Sequence, residues 1–217
     1  MNISEFIKTN GIVGAVFDMD GTLTDSMQTW GEIYSALSSR LNIELPDGFM
    51  MKVNHIPMSG RVKEIKKQFS LDIDENEVYS FWVEKAAEYY ENVFKIRPYM
   101  LETLDRLKAS GVKCAIATAS DRRCSLAFIK SNGLEKYISS VTALDEVSRP
   151  KSFPDIYLKA AEKLGVKPSE CIVFEDALTA LKAAKDGGFK VCGVRDDCSK
   201  KDEEQIKSVS DLILGYN

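Results

Sequence analysis

The sequence predicts an α/β chain: a doubly wound parallel sheet with helices on both faces and an all-helical segment inserted after the first strand. Three observations predict it. The apolar run Gly11-Ile12-Val13-Gly14-Ala15-Val16-Phe17 ends abruptly in Asp18-Met19-Asp20-Gly21, as a buried parallel strand emptying into a loop does. Residues 26–95 then carry helical periodicities and no strand-like run. From Pro98 onward helix and strand patterns alternate with short links, the signature of a parallel sheet.

In chain order, Asp25 or Ser26 is expected to start the first inserted helix. Gln28 follows Asp25 at capping-box spacing, and Trp30, Ile33, Tyr34, Leu37 and Leu41 recur at helical period. Leu45-Pro46-Asp47-Gly48 turns the chain, and a short helix over 49–55 stopped by Pro57 follows. Ser59 caps a helix over 61–69, and Asp74 opens another through Val78, Phe81, Trp82, Lys85, Tyr89 and Val93. Beyond the insertion, the spacing predicts helices over 99–110, 121–131, 154–164 and 177–185, closed by Gly111, Asn132-Gly133, Gly165 and Gly187-Gly188. Pro154 takes the early helical position it favours. Strands fall between them at 112–118, 140–144, 171–174 and 190–194, the second being weaker.

Composition sets limits on function. A chain of 217 residues with 44% hydrophobic content buries a full core and leaves room for a second, small domain. The expected division is a core of residues 1–25 and 96–217 and a helical domain over 26–95. A net charge of -4 and a pI near 5.3 leave no basic footprint for nucleic acid. No apolar stretch reaches the roughly 18 residues that suggest a membrane span. Met1 to Lys8 is too acidic, and too short in its apolar part, for a signal peptide and reads as a lead-in to the first strand. The five cysteines include no Cys-x-x-Cys pair. Cys114, Cys171 and Cys192 lie in apolar runs as small buried hydrophobes, whereas Cys124 and Cys198 read as more exposed. Neither has a histidine beside it, which argues against a catalytic thiol. The pattern fits a reducing cytoplasm.

Sheets of this kind bind ligands beyond the carboxyl ends of their strands, and Asp18, Thr118, Glu175 and Asp176 all fall there. Asp18 and Asp20 point to one side of an extended chain, where a cation relieves their repulsion most simply. Gly21 lets the backbone turn towards a ligand, with amide groups left to face an anion. Paired carboxylates beside free amides suit a metal-assisted phosphate site, although Asp-Gly is also ordinary turn chemistry. Glu175-Asp176 equally suits the start of the following helix, whose dipole favours acid.

Four stations carry a more specific signal. They are Asp18-Met19-Asp20-Gly21-Thr22-Leu23-Thr24-Asp25-Ser26, Cys114-Ala115-Ile116-Ala117-Thr118, Lys151 in Lys151-Ser152-Phe153-Pro154-Asp155, and Cys171-Ile172-Val173-Phe174-Glu175-Asp176. In this order they resemble the four signatures of the haloacid dehalogenase superfamily, over nearly the whole chain. The resemblance implies a Rossmann-like core with a small helical cap, close to the β-phosphoglucomutase and phosphoglycolate phosphatase branch. It also implies a phosphatase that needs Mg2+, a hard ion preferring oxygen ligands. Asp18 would be nucleophile and metal ligand, forming an aspartyl-phosphate. Asp20 would protonate the leaving oxygen and then activate water, with its backbone carbonyl on the metal. Asp176 would be the other protein ligand, and Glu175 a ligand or the partner of a metal-bound water. The Thr118 hydroxyl, the Ala119 amide and Lys151 would hold the phosphoryl oxygens. The implied partner is a small phosphorylated metabolite such as a sugar phosphate or phosphoglycolate, and the implied state a monomer or weak homo-oligomer.

In the cap, Arg61 sits where relatives place a substrate-contacting arginine and is read equally as a solvated helix start. Trp30 is read first as core packing and second as looking into the site. The sole histidine, His55, reads as filler. Departures from the pattern lie at Ser152, where proline usually follows the lysine, and at Ala177 and Ala180, where serine and glycine are usual. Arg149 is the fallback for Lys151. Losing the serine hydroxyl weakens support of the metal carboxylates, so reduced rather than absent activity is expected. Asp20 argues against the dehalogenase and phosphonatase branches, and Trp30, where mutases place histidine, argues for hydrolysis. A phosphosugar mutase and a non-catalytic phospholigand-binding member are the alternatives. A phosphoacceptor receiver domain would be shorter and would lack both Asp20 and the insertion.

Overall fold

The computed structural model describes residues 2–46, 48–53 and 56–216, with the backbone alone for residues 50 and 51. Strands β1 (Gly14–Phe17), β2 (Lys113–Thr118), β3 (Ile138–Ala143), β4 (Cys171–Glu175), β5 (Lys190–Val194) and β6 (Leu212–Leu214) pair in parallel, in the order β3-β2-β1-β4-β5-β6. The first five lie where the sequence predicts them. The three residues of β6 were too short a run to stand out.

The helices are α1 (Ile3–Asn10), α2 (Trp30–Leu41), α3 (Phe49–Val53), α4 (Met58–Phe69), α5 (Glu75–Asn92), α6 (Pro98–Ala109), α7 (Arg122–Ser131), α8 (Asp155–Leu164), α9 (Leu178–Asp186) and α10 (Glu203–Val209). The expected lead-in to β1 is thus a helix. Asn2 caps it by accepting from the Glu5 amide at 2.9 Å, Gly11 closes it at φ 64°, and Ile3, Phe6 and Ile7 are buried. No short lead-in advertises this, because the buried face is supplied by the rest of the fold.

β1 is buried on both faces, which accounts for its unbroken apolar run. Ala15 and Phe17 enter a core with residues of α1, α6 and α7, while Val16 enters a second core with residues of α8, α9 and α10. Phe17 stacks on its register partner Phe174 with ring centroids 4.3 Å apart.

α2 to α5 interrupt the chain between β1 and α6, and the two crossings run side by side. Thr24 bridges antiparallel to Ile96, and the Arg97 amide donates to the Leu23 carbonyl at 2.9 Å. α5 lies on α7: the Tyr90 ring meets Phe128 edge-on at 6.4 Å, and one apolar core continues through both. This cover corrects the reading of Cys124, which is fully buried with its thiol towards the Val83 carbonyl; Cys198 is exposed as read.

Local signals misplace three features of the insertion. α2 starts at Trp30 after Thr29, without a side-chain cap, and not at Asp25 or Ser26. α4 starts at Met58 after Pro57, so Ser59 lies inside its first turn. Along α5, opened by Asp74 as expected, the buried face is Val78, Trp82, Val83, Ala86 and Tyr90, which puts Tyr90 inward in place of Tyr89. His55 lies outside the described residues.

Candidate active site

β1 and β4 are neighbours at the point where the strand order reverses, so their carboxyl ends open one crevice. Asp18 follows β1 there, its amide donating to the Phe174 carbonyl at 2.9 Å. Glu175 ends β4 and Asp176 follows it, while Thr118 ends the other neighbour, β2. Asp18, Thr118, Glu175 and Asp176 are all buried.

Lys151 comes from the segment between β3 and α8 and reaches the same point. Its Nζ pairs with the Asp18 carboxylate and, at 2.6 Å, with Glu175. Burial alone would lower its pKa, but Asp18 and Glu175 outweigh that and hold the ammonium well above its usual range. Arg149 turns elsewhere, pairing with Asp155 at 2.7 Å and stacking on Phe153, so of the two it is Lys151 that reaches the carboxylates. Glu175 is held further by the Tyr157 hydroxyl at 2.9 Å and the Ala177 amide at 3.1 Å. Neither Glu175 nor Asp176 is the cap of α9; Ala177 is, without a side-chain bond.

The loop after Asp18 is tight. Gly21 sits at φ 85°, and a Cβ there would come within 2.7 Å of Asp176 Oδ2, so this position needs glycine for conformation and for space. Its amide is not left for an anion, as expected, but donates to the Thr24 carbonyl at 2.9 Å. The Thr22 hydroxyl donates to Asp176 at 3.1 Å. Arg97 braces the loop from the returning chain, donating to the Gly21 carbonyl at 3.0 Å and to Asp196 at 2.6 Å.

Asp20 is held differently. Its carboxylate accepts from Ser26 Oγ at 2.5 Å, Trp30 Nε1 at 3.2 Å, Ser120 Oγ at 2.8 Å, and Tyr90 Oη at 2.6 and 2.7 Å, one contact to each carboxylate oxygen. The Ser26 hydroxyl is thus spent on Asp20, and Thr29 holds the cap position of α2. Trp30 packs in the core, and its Nε1 also reaches the Asp20 carboxylate. Arg61 is buried, not solvated: its Nε donates to the Ile56 carbonyl at 2.8 Å. Burial lowers the Arg61 pKa against the opposing fields of Tyr34, Asp20 and Tyr90. The Ser120 amide donates to Thr118 Oγ1 at 3.0 Å, and Ala119 between them is half-buried. Tyr90, Ser120, Tyr157 and Arg97 were not anticipated. Only Ser120, two residues past Thr118, offered a local hint.

The cluster is short of positive charge. Burial pushes the Asp18 carboxyl up to about 8 despite Lys151, with Glu175 and Asp20 adding to the rise. Asp176 is pushed well up by burial, then by Glu175 and Asp18. Asp18, Glu175 and Asp176 each offer one oxygen within 4.8 Å of the others. An all-carboxylate donor set suits a hard divalent cation such as magnesium, and the uncompensated charge is what such an ion would neutralise.

Fold and site together define a carboxylate-centred enzyme of the doubly wound α/β class. The chain belongs to the haloacid dehalogenase-like hydrolases, whose family pattern matches residues 15–194. It is 27% identical over 190 residues to the fructose-1-phosphate phosphatase YqaB of Escherichia coli, covering 84% of this chain and 96% of that one. CbbY from Rhodobacter sphaeroides, solved in complex with phosphate, has the same fold with a TM-score of 0.81 at 20% identity, covering 94% of this chain and 93% of that one. The β-phosphoglucomutase of Clostridium difficile aligns with a TM-score of 0.73 at 19% identity, covering 94% and 90%. Among the described residues, no helix is long and apolar enough to cross a membrane.

Proposed function

We propose that this hydrolase is a magnesium-dependent phosphatase acting on a small phosphomonoester, such as a sugar phosphate or phosphoglycolate, through an aspartyl-phosphate. The observation that carries the reading is the Lys151 ammonium between Asp18 and Glu175 beside strand-end Thr118. Similarity to a fructose-1-phosphate phosphatase supports the substrate class.

In this reading Asp18 attacks phosphorus, the bond to the leaving oxygen breaks, and Asp20 gives that oxygen its proton. Water then attacks the aspartyl-phosphate, Asp20 takes the water proton, and inorganic phosphate leaves while Asp18 is restored. Lys151, the Thr118 hydroxyl and the Ala119 amide hold the phosphoryl oxygens. Asp18, Asp176, Glu175 and the Asp20 backbone carbonyl would hold the cation. When bound, the ion offsets the charge of phosphate and carboxylates, which otherwise repel. The alanines at 177 and 180 need not disable this site, because Tyr157, the Ala177 amide and Thr22 already orient Glu175 and Asp176.

Residues 26–95 would act as a cap hinged where Thr24 meets Ile96, closing water out. A single chain supplies every group this chemistry uses, consistent with a monomer or weak homo-oligomer. Free thiols at all five cysteines support a cytoplasmic setting. The test is phosphate release from a panel of phosphate esters, with and without magnesium, in the wild type and Asp18→Asn. Magnesium-dependent turnover that falls about 10⁴-fold or more in the variant is expected. Turnover that survives the substitution, or phosphate binding with no release on any ester, refutes the reading and favours another nucleophile or a silent binder.

A further inference from the structure

The carboxylates at the end of β4 are supported unevenly. Glu175 is oriented by Lys151, Tyr157 and the Ala177 amide, whereas among the described residues the Asp176 carboxylate accepts a hydrogen bond from the Thr22 hydroxyl alone, at 3.1 Å. The direction of Asp176 therefore depends on the loop that carries Thr22. That loop lies tight against it, as the 2.7 Å between a Cβ at Gly21 and Asp176 Oδ2 shows.

One residue of the returning chain fixes the loop. Nη2 of Arg97 donates both to the Gly21 carbonyl, at 3.0 Å, and to Asp196 after β5, at 2.6 Å. The Gly21 carbonyl belongs to the peptide that leads into Thr22, so holding it places the Thr22 side chain. The Arg97 amide donates to the Leu23 carbonyl at 2.9 Å, bracing the far side of Thr22. Asp196 is buried, and its other oxygen accepts from the Cys198 amide at 2.9 Å, which ties Arg97 to the core. The ion pair is not laid out for its own strength. Arg97 meets Asp196 through one nitrogen, without the two-pronged contact that guanidinium and carboxylate make best, and its Nε is buried without a hydrogen-bond partner. A buried pair of this kind is in itself weak evidence of a stabilising role.

We propose that Arg97 is a positioning residue for the cation site. Anchored on Asp196, it holds the Gly21-Thr22 peptide and, through the Thr22 hydroxyl, the Asp176 carboxylate in the orientation that binds the metal. This rests on the phosphatase reading and adds a residue that touches neither metal nor ester. Side chains that orient a ligand from behind in this way tune metal affinity.

The test uses manganese as a hard divalent probe, its binding read from the spin-resonance signal of the free ion, together with denaturant unfolding in chelator. The proteins are wild type, Arg97→Met, Thr22→Val, and the double variants Arg97→Met/Thr22→Val and Arg97→Met/Asp196→Asn. Arg97→Met is expected to weaken manganese binding about tenfold and to raise the magnesium needed for half-maximal turnover in proportion, with KM for the ester little changed. Thr22→Val should lose a similar amount, and the two losses should not add, because they lie on one path. Arg97→Met also strands the buried Asp196, so its unfolding midpoint falls; adding Asp196→Asn should restore most of the midpoint while manganese affinity stays low. That double variant keeps the test decisive if Arg97→Met alone fails to fold. Wild-type manganese affinity in either Arg97→Met or Arg97→Met/Asp196→Asn overturns the proposal and leaves an ordinary ion pair, and fully additive losses overturn the path through Thr22. A wild type that binds manganese but releases phosphate from no ester would sink the phosphatase reading and leave the positioning role standing. A wild type that binds no manganese would overturn both.

Discussion

Asp18 and Asp20 stand two residues apart and are held in opposite ways. On the sheet side, Asp18 faces a cation: Lys151 bridges it to Glu175, and all three side chains are nearly out of water. On the side of the insertion, Asp20 is hydrogen-bonded by neutral donors, three hydroxyls and an indole, two of the four from α2 and α5, with the buried Arg61 near enough to feel its charge. The difference teaches a division of labour. A buried charge requires an opposite charge, which the core and its cation supply whatever the inserted helices do. Hydrogen bonds fix direction, and Tyr90 and Trp30 make the orientation of Asp20 depend on the inserted helices being docked.

The largest effect should come from Lys151→Met, which leaves Asp18 and Glu175 facing each other unbalanced. We expect turnover to fall about 10³-fold and the chelator-treated protein to lose about 3 kcal/mol in denaturant unfolding. Magnesium should restore part of the stability but little of the activity. A loss under 1 kcal/mol would break the view that the sheet side is held by charge.

The burial of Asp18, which Lys151 offsets only in part, predicts a pH dependence in chelator. Burial pushes the Asp18 carboxyl up to about 8 in the folded chain, against about 3.8 for an ordinary aspartate, so the folded state binds the proton more tightly. Its contribution to stability is present below about pH 4 and is lost as pH rises towards 8. Melting temperature measured without metal should therefore decline across that window, and Asp18→Asn should flatten the decline. A melting curve that rises over this range would contradict the assignment.

Tyr90→Phe removes the donor that contacts both Asp20 oxygens and leaves the ring in the core. About 1–2 kcal/mol of stability and roughly a tenfold drop in kcat with little change in KM are expected. Trp30→Phe removes one long contact at 3.2 Å and should cost less on both counts. If Tyr90→Phe proved as damaging to the metal-free fold as Lys151→Met, the contrast between the two aspartates would collapse.

Much of the core could be read without the structure. Apolar runs that end in acid or threonine mark buried strands at β1, β2 and β4, because a strand covered on both faces excludes charge until it leaves the sheet. Alternation of helix and strand marks the doubly wound layers. The order of Asp18, Thr118, Lys151 and Glu175-Asp176 along the chain resembles the signatures of one family, and a parallel sheet gathers the carboxyl ends of its strands on one side.

What only the tertiary structure decided is which face each inserted helix hides and where each hydroxyl is spent. Periodicity marks α5 as a helix, but its docking on α7 turns Tyr90 inward in place of Tyr89 and covers Cys124. The side chain of Ser26 suited a helix cap, yet its hydroxyl donates to the Asp20 carboxylate, six residues back in sequence, at 2.5 Å. The Gly21 amide suited an anion until the Thr24 carbonyl claimed it. Local sequence sets the intrinsic preference of a residue, while burial and hydrogen bonding are settled by whichever groups the fold brings alongside, and those come from anywhere in the chain.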